Sequence, residues 1–266
     1  MTLPGRPPEG SRISSPLAIS GSDSFTPWAG IAAILSAPVA IASLVLLLQP
    51  IEYDPEAFRD PARLLALAPD GVESVRWGLL LDLLGYYLLL APLAIVTRRL
   101  VPLRHEDWGR IASWSAGAYI LVGALGAAGL AAVYPALADI YSSGGLSERT
   151  AAQTAFTAVS AMVVDGLWNT LEVLLASVWF LVVGLALRRR HRAVGILSLA
   201  LGGATMLDAT GNFLGAEDVA AAGLNLYLFG APLWAMAVGV MLLRRWLVSS
   251  SRAGATPEVG ALVGHT

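Results

Sequence analysis

Six long apolar runs, with basic residues only at or beyond their ends, constrain this 266-residue chain more than any other feature. A bilayer's hydrocarbon core of about 30 Å takes about 20 helical residues to cross, and each run is long enough to do so. They fall at roughly 28–49, 77–97, 111–134, 147–187, 193–214 and 224–246. In the fourth, the membrane part reaches back at least to Leu167; Ser147, Thr150 and the Ala/Thr-rich run behind them start the helix earlier, so it projects beyond the membrane. Membrane β-strands would alternate over about 10 residues, and these continuous runs do not. The expected fold class is therefore all-α, a polytopic bundle of six transmembrane helices.

Composition agrees: hydrophobic residues make up 56% of the chain, charged residues 14%, and the mean hydropathy is +0.67, outside the range of an ordinary soluble domain. Residues 1–27 and 249–266 hold too little apolar surface to offset the entropy of ordering and are expected to be disordered tails. A cleaved signal peptide would place its basic residues against a short apolar core, whereas Arg6 and Arg12 stand well upstream of a run of about 22 residues.

All seventeen basic residues are Arg, and thirteen of them lie in the two tails, in the connections after the second and fourth runs, or at the end of the sixth run. Four lie on the other side: Arg59, Arg63, Arg76 and Arg149. Positive loops near helix ends stay cytoplasmic, so both termini are expected inside. Glu52, Asp54, Glu56, Asp60, Asp70, Glu73, Asp139, Glu148, Glu217 and Asp218 make the opposite face acidic. The multi-pass location expected is a bacterial cytoplasmic membrane. The basic clusters follow the helix ends, which speaks for orientation in a bilayer and against nucleic acid.

Between the first two runs, Pro61 and the apolar Leu64, Leu65 and Leu67 form a short helix, either lying on the membrane surface or packed on the rim of the bundle. The third run is rich in small residues, with Gly117, Gly123, Gly126 and Gly129, which let helices approach closely and make it the expected centre of the bundle. Trp28, Trp77, Trp108 and Trp246 fall near helix ends, where aromatic anchors belong. Trp114, Trp168, Trp179 and Trp234 lie deeper and are read as interior packing.

The polar residues inside the spans carry any chemistry. Asp82 lies sixteen residues before Arg98, Glu172 sixteen before Arg188 and Asp208 sixteen after Arg192, which places all three about 24 Å from the basic face. Asn169, Asn212 and Asn225 lie just beyond, about 28 to 30 Å away. On α-helical spacing Asp165, Asn169 and Glu172 share one stripe, Asp208 and Asn212 a second, and Asp82 and Tyr86 a third. Carboxylates facing hydrocarbon cost about 2.5 to 3.5 kcal/mol each, so they are expected to turn inward. The eight residues Asp82, Tyr86, Asp165, Asn169, Glu172, Asp208, Asn212 and Asn225 are the candidate polar pocket, in the half of the membrane away from the arginines.

No Arg, Lys or His lies in the membrane part of the spans to neutralise these acids; His105 and His191 sit in the arginine-rich connections and His265 in the tail. A cation held by carboxylates and amide carbonyls, or protons on the carboxylates, would do so. The leading expectation is a pocket that binds or moves a cation, a proton or a small solute. The alternative is a polar layer that only fixes helix packing. An intramembrane carboxylate-dependent enzyme comes third: with no Cys and no embedded His, thiol and histidine chemistry are excluded. The sequence calls for no cofactor; the partners expected are the lipid bilayer and a cation or proton.

Overall fold

The computed structural model describes residues 25–54, 60–101 and 106–253, and every regular element among them is helical. The helices are α1 Phe25–Leu48, α2 Pro61–Leu65, α3 Pro69–Leu100, α4 Glu106–Ser143, α5 Leu146–Leu187, α6 Arg192–Leu214 and α7 Glu217–Ala253. All but α2 are long and apolar enough to cross a membrane, as in a multi-pass membrane protein. The expected tails lie outside the described residues except at their inner ends, where α1 starts at Phe25 and α7 runs on to Ala253.

Three spans are much longer than their apolar runs, among them α7, which starts at Glu217 and ends at Ala253. α3 starts at Pro69, whose ring suits the first helical turn, with Asp70 beside it at the positive end of the helix dipole. α4 is 38 residues long, opening on Glu106 and Asp107 and continuing past Pro135 to Ser143. α5 answers it, its first turn tied by the Glu148 carboxylate, which accepts the Gly145 N–H at 2.7 Å. The α4–α5 hairpin therefore stands proud of the apolar band. α2 is short but well started, since Asp60 Oδ1 accepts the N–H groups of Ala62 and Arg63 at 3.0 and 3.2 Å. Its leucines settle its place: Leu64 and Leu65 are buried and Tyr134 donates its hydroxyl to the Leu64 carbonyl at 2.9 Å, so α2 packs on the bundle rim.

The six long helices form a closed ring. Each packs on its neighbours in sequence, and α7 closes back onto α1. Gly30 and Gly239 face each other at that closure; a Cβ on Gly239 would fall 2.6 Å from the Gly30 carbonyl oxygen. α4 is one wall of this ring between α3 and α5, and not the centre its glycines led us to expect. Gly123 and Gly126 meet Tyr87 and Trp168, whereas Gly117 and Gly129 face open space, because the four glycines do not share one helical face.

With no helix at the centre, side chains fill the interior. Trp179, Phe180 and Trp234 stack there, with Trp234 edge-on to Trp179 at 5.1 Å and to Phe180 at 4.7 Å between ring centres. Trp179 donates to Thr97 Oγ1 at 3.0 Å and Trp234 to Ser198 Oγ at 2.7 Å. Ser198→Ala strands the buried Trp234 N–H, so it should cost about 1 to 3 kcal/mol, read as a lower melting temperature in detergent. Trp114 departs from the interior reading: it is 80% exposed. Trp28, Trp77 and Trp108 are exposed as anchors should be, and Leu35, Ile41, Leu121, Leu125, Leu226 and Phe229 add to an outward apolar surface. A soluble monomer rarely carries such a surface, and a bilayer requires it.

Candidate functional site

Two departures from α-helical winding shape the middle of the ring. In α3, Leu83–Tyr87 winds as a π-helix and Leu88–Leu90 as a 3₁₀ turn before the α-helix resumes. Pro92 is one cause: lacking an N–H, it cannot bond the Leu88 carbonyl, which takes the Ala91 N–H instead. In α5, the twelve residues Ala161–Glu172 are π-helical. Such segments are rare and often mark functional sites.

The π winding of α5 redistributes the expected stripe. Seven residues make close to two whole turns of an α-helix but only roughly one and a half of the wider π form. Asp165 and Glu172 therefore point to different sides: Asp165 is exposed, while Glu172 is 2% exposed.

Glu172 sits in a cage of tyrosines from three other helices. Tyr87 of α3 donates its hydroxyl to both carboxyl oxygens, at 3.2 and 3.1 Å. Tyr227 of α7 donates to Oε1 at 3.2 Å. The Tyr227 hydroxyl also lies 2.7 Å from that of Tyr119 on α4, and Tyr119 reaches the Tyr86 carbonyl at 3.2 Å. Tyr86 turns elsewhere, donating to the Leu228 carbonyl at 2.7 Å. Pro232 explains that bond, because a proline four residues on has no N–H for the Leu228 carbonyl.

Asp208 of α6 is the second buried acid, 1% exposed. Asn212 Nδ2 donates to its Oδ1 at 2.7 Å and reaches the Asn169 carbonyl on α5 at 3.3 Å. Oδ2 of Asp208 is buried with no hydrogen-bond partner. α7 passes closely here through Gly223, where a Cβ would fall 2.5 Å from the Asp208 backbone nitrogen. Asp82 is half-buried. Asp82 and Asp208 each lie near enough to Glu172 to act on it electrostatically, but the three do not form one tight cluster among the described residues. No ion pair among the described residues reaches them.

Of the eight residues singled out from sequence, Asp82, Tyr86, Asn169, Glu172, Asp208 and Asn212 are thus brought together or adjoin one another. Asp165 and Asn225 are exposed and stand apart; Asn225 Nδ2 bonds only within its own helix, to the Ala221 carbonyl at 2.9 Å. Tyr87, Tyr119 and Tyr227 were not singled out. Tyr227 could have been, since it lies seventeen residues before Arg244, about 26 Å deep and level with the acids. Tyr87 and Tyr119 lie nearer the basic end, and no spacing in the sequence links them to Glu172. Among the described residues no three His, Cys, Asp or Glu side chains are grouped so as to hold a metal ion. No protein-family model, no curated protein and no solved structure matches this chain.

Proposed function

We propose that this is a proton-binding membrane protein in which Glu172, with Asp208 and Asp82 beside it, takes up and releases a proton during translocation of that proton or of a solute coupled to it. A count of hydrogens carries the reading. Four contacts link Tyr87 to Glu172, Glu172 to Tyr227, Tyr227 to Tyr119 and Tyr119 to the Tyr86 carbonyl. Each contact needs one hydrogen, and the three tyrosine hydroxyls supply three. A proton on Glu172 supplies the fourth: Glu172 then donates to Tyr227, Tyr227 to Tyr119 and Tyr119 to the Tyr86 carbonyl. When the proton leaves, Tyr227 turns to donate to the carboxylate and one contact is given up. The chain of hydroxyls thus has two directions, selected by one proton.

The surroundings support a neutral layer. Ionised carboxylates buried without cationic partners are costly, and like charges within reach of one another add to that cost. The orientation that goes with this reading has both termini in the cytoplasm of a bacterial cell, on the strength of the thirteen arginines of that face. The site then lies in the outer half of the membrane.

A packing role for the same layer is favoured by one observation, namely that its bonds tie α3, α4, α5 and α7 together. Infrared spectroscopy of the reconstituted protein separates the two. A protonated-carboxyl C=O band should be present, shift in D₂O, diminish as the pH is raised and be lost in Glu172→Gln. A band that never exchanges and holds at every pH where the protein is folded would leave packing as the role. Loss of the band on adding Na⁺ at constant pH would replace the proton with a cation. Its absence at neutral pH would end the proton reading.

A further inference from the structure

Toward the arginine-rich end, α3 and α4 part to leave a groove of about 430 Å³ on the outside of the ring. Its α3 wall is Ala91, Ala94, Ile95 and Arg98; its α4 wall includes Arg110, Ser113, Trp114 and Gly117. Each set follows the three- and four-residue spacing of one helical face, so both walls are continuous stripes. The stripes run antiparallel, which brings Arg98 and Arg110 together at one end and leaves the remainder almost wholly apolar.

Several features suit this groove to an occupant with an anionic head and a hydrocarbon tail. Its lining holds two guanidinium groups and no anion. Arg98 and Arg110 share a single carboxylate oxygen of Glu106, the second at 2.9 Å, Arg110 also lies 3.6 Å from the exposed Asp107, and each arginine side chain is more than half exposed, at 53% and 55%. A guanidinium has five N–H donors, so both keep donors directed away from Glu106. Ser113 Oγ is buried and has no hydrogen-bond partner, although a helical serine can usually reach a carbonyl one turn back. At the floor, a Cβ on Gly117 would meet no atom within 4 Å, so the groove is left open where any larger residue would fill it. Ile95 and Trp114 rise at its sides, 61% and 80% exposed.

We propose that this groove binds one anionic phospholipid of the surrounding bilayer. The phosphate is held by Arg98 and Arg110, and an acyl chain lies over Gly117 between Ile95 and Trp114. The two arginines select the headgroup, and the missing side chain at position 117 makes room for the tail. The site is separate from the acid layer and does not depend on the proton reading.

Native mass spectrometry of the full chain, released from nanodiscs containing equal phosphatidylglycerol and phosphatidylcholine, tests this. One phosphatidylglycerol should remain bound at collision energies that strip phosphatidylcholine. Arg98→Gln and Arg110→Gln should each reduce its retention about fivefold. Gly117→Phe should abolish retention while leaving the melting temperature in detergent unchanged, because the ring occupies space no other residue uses. Inorganic phosphate should fail to displace the lipid; displacement would identify a free anion site and overturn the acyl-chain contact. Equal retention of the two lipids, unchanged retention in Gly117→Phe, or a dimer that is lost in that variant would each overturn the proposal, the last in favour of a second copy of the chain.

Discussion

Gly123→Ala is expected to destabilise the bundle by about 3 kcal/mol, a large effect for the addition of one methyl group. A Cβ at Gly123 would fall 1.9 Å from Cε1 and 2.3 Å from Cζ of Tyr87. Tyr87 cannot step aside, because its ring is buried against Tyr119 at 5.7 Å and its hydroxyl is committed to Glu172. The new methyl group must therefore push α4 away from α3 or drive Tyr87 off the carboxyl group. Thermal or denaturant unfolding in detergent measures the loss. Tyr87→Leu removes the ring, so the double variant should recover most of what Gly123→Ala costs beside the cost of Tyr87→Leu alone. Simple additivity of the two changes would show that they do not meet.

Glu172→Ala and Glu172→Gln should part company sharply. Alanine leaves a void and strips the Tyr87 and Tyr227 hydroxyls of their shared partner, at a cost of about 4 kcal/mol. Glutamine keeps the shape, accepts from Tyr87 through its carbonyl and donates from its amide to Tyr227, as a protonated glutamic acid would. It also removes a titratable group from beside Asp82 and Asp208, so its stability should lie within about 1 kcal/mol of wild type. Equal losses in the two variants would mean that the site needs the negative charge, and the count of hydrogens would not describe it. Equal stability with loss of the exchanging infrared band is the joint signature of a neutral, proton-carrying Glu172.

These expectations rest on contacts with very unequal traces in the sequence. The layer of Asp82, Glu172 and Asp208 was legible because each acid interrupts an apolar run whose end is marked by arginines, and residue counts along a helix translate into depth. Around Asp208 the pairing with Asn212 was legible too, being local and four residues apart. The tyrosine cage was not. Tyr119 and Tyr227 are 108 residues apart and meet only because the ring closes.

Asp165 shows why even local patterning has a limit. Its grouping with Glu172 assumes α-helical winding, and the π form of Ala161–Glu172 turns the two residues apart. Nothing in the run AMVVDGLWNTLE announces that winding. Trp114 and the glycines of α4 carry the same lesson: small or apolar character says that a residue belongs in the membrane, but not whether it faces lipid, another helix or a groove.

The sequence by itself determined the six spans, their marked charge asymmetry and the spacing of the acids from the arginines, because hydrophobic length and charge position act on each helix separately. The tertiary structure decided the ring, the partners of each carboxyl group and the groove of Arg98 and Arg110. Those depend on which faces meet, and that follows from breaks in winding at Pro92 and in α5, from close approaches at Gly30, Gly123 and Gly239, and from carbonyls that find their partner on another helix, such as that of Leu228, none of which acts until the helices are side by side.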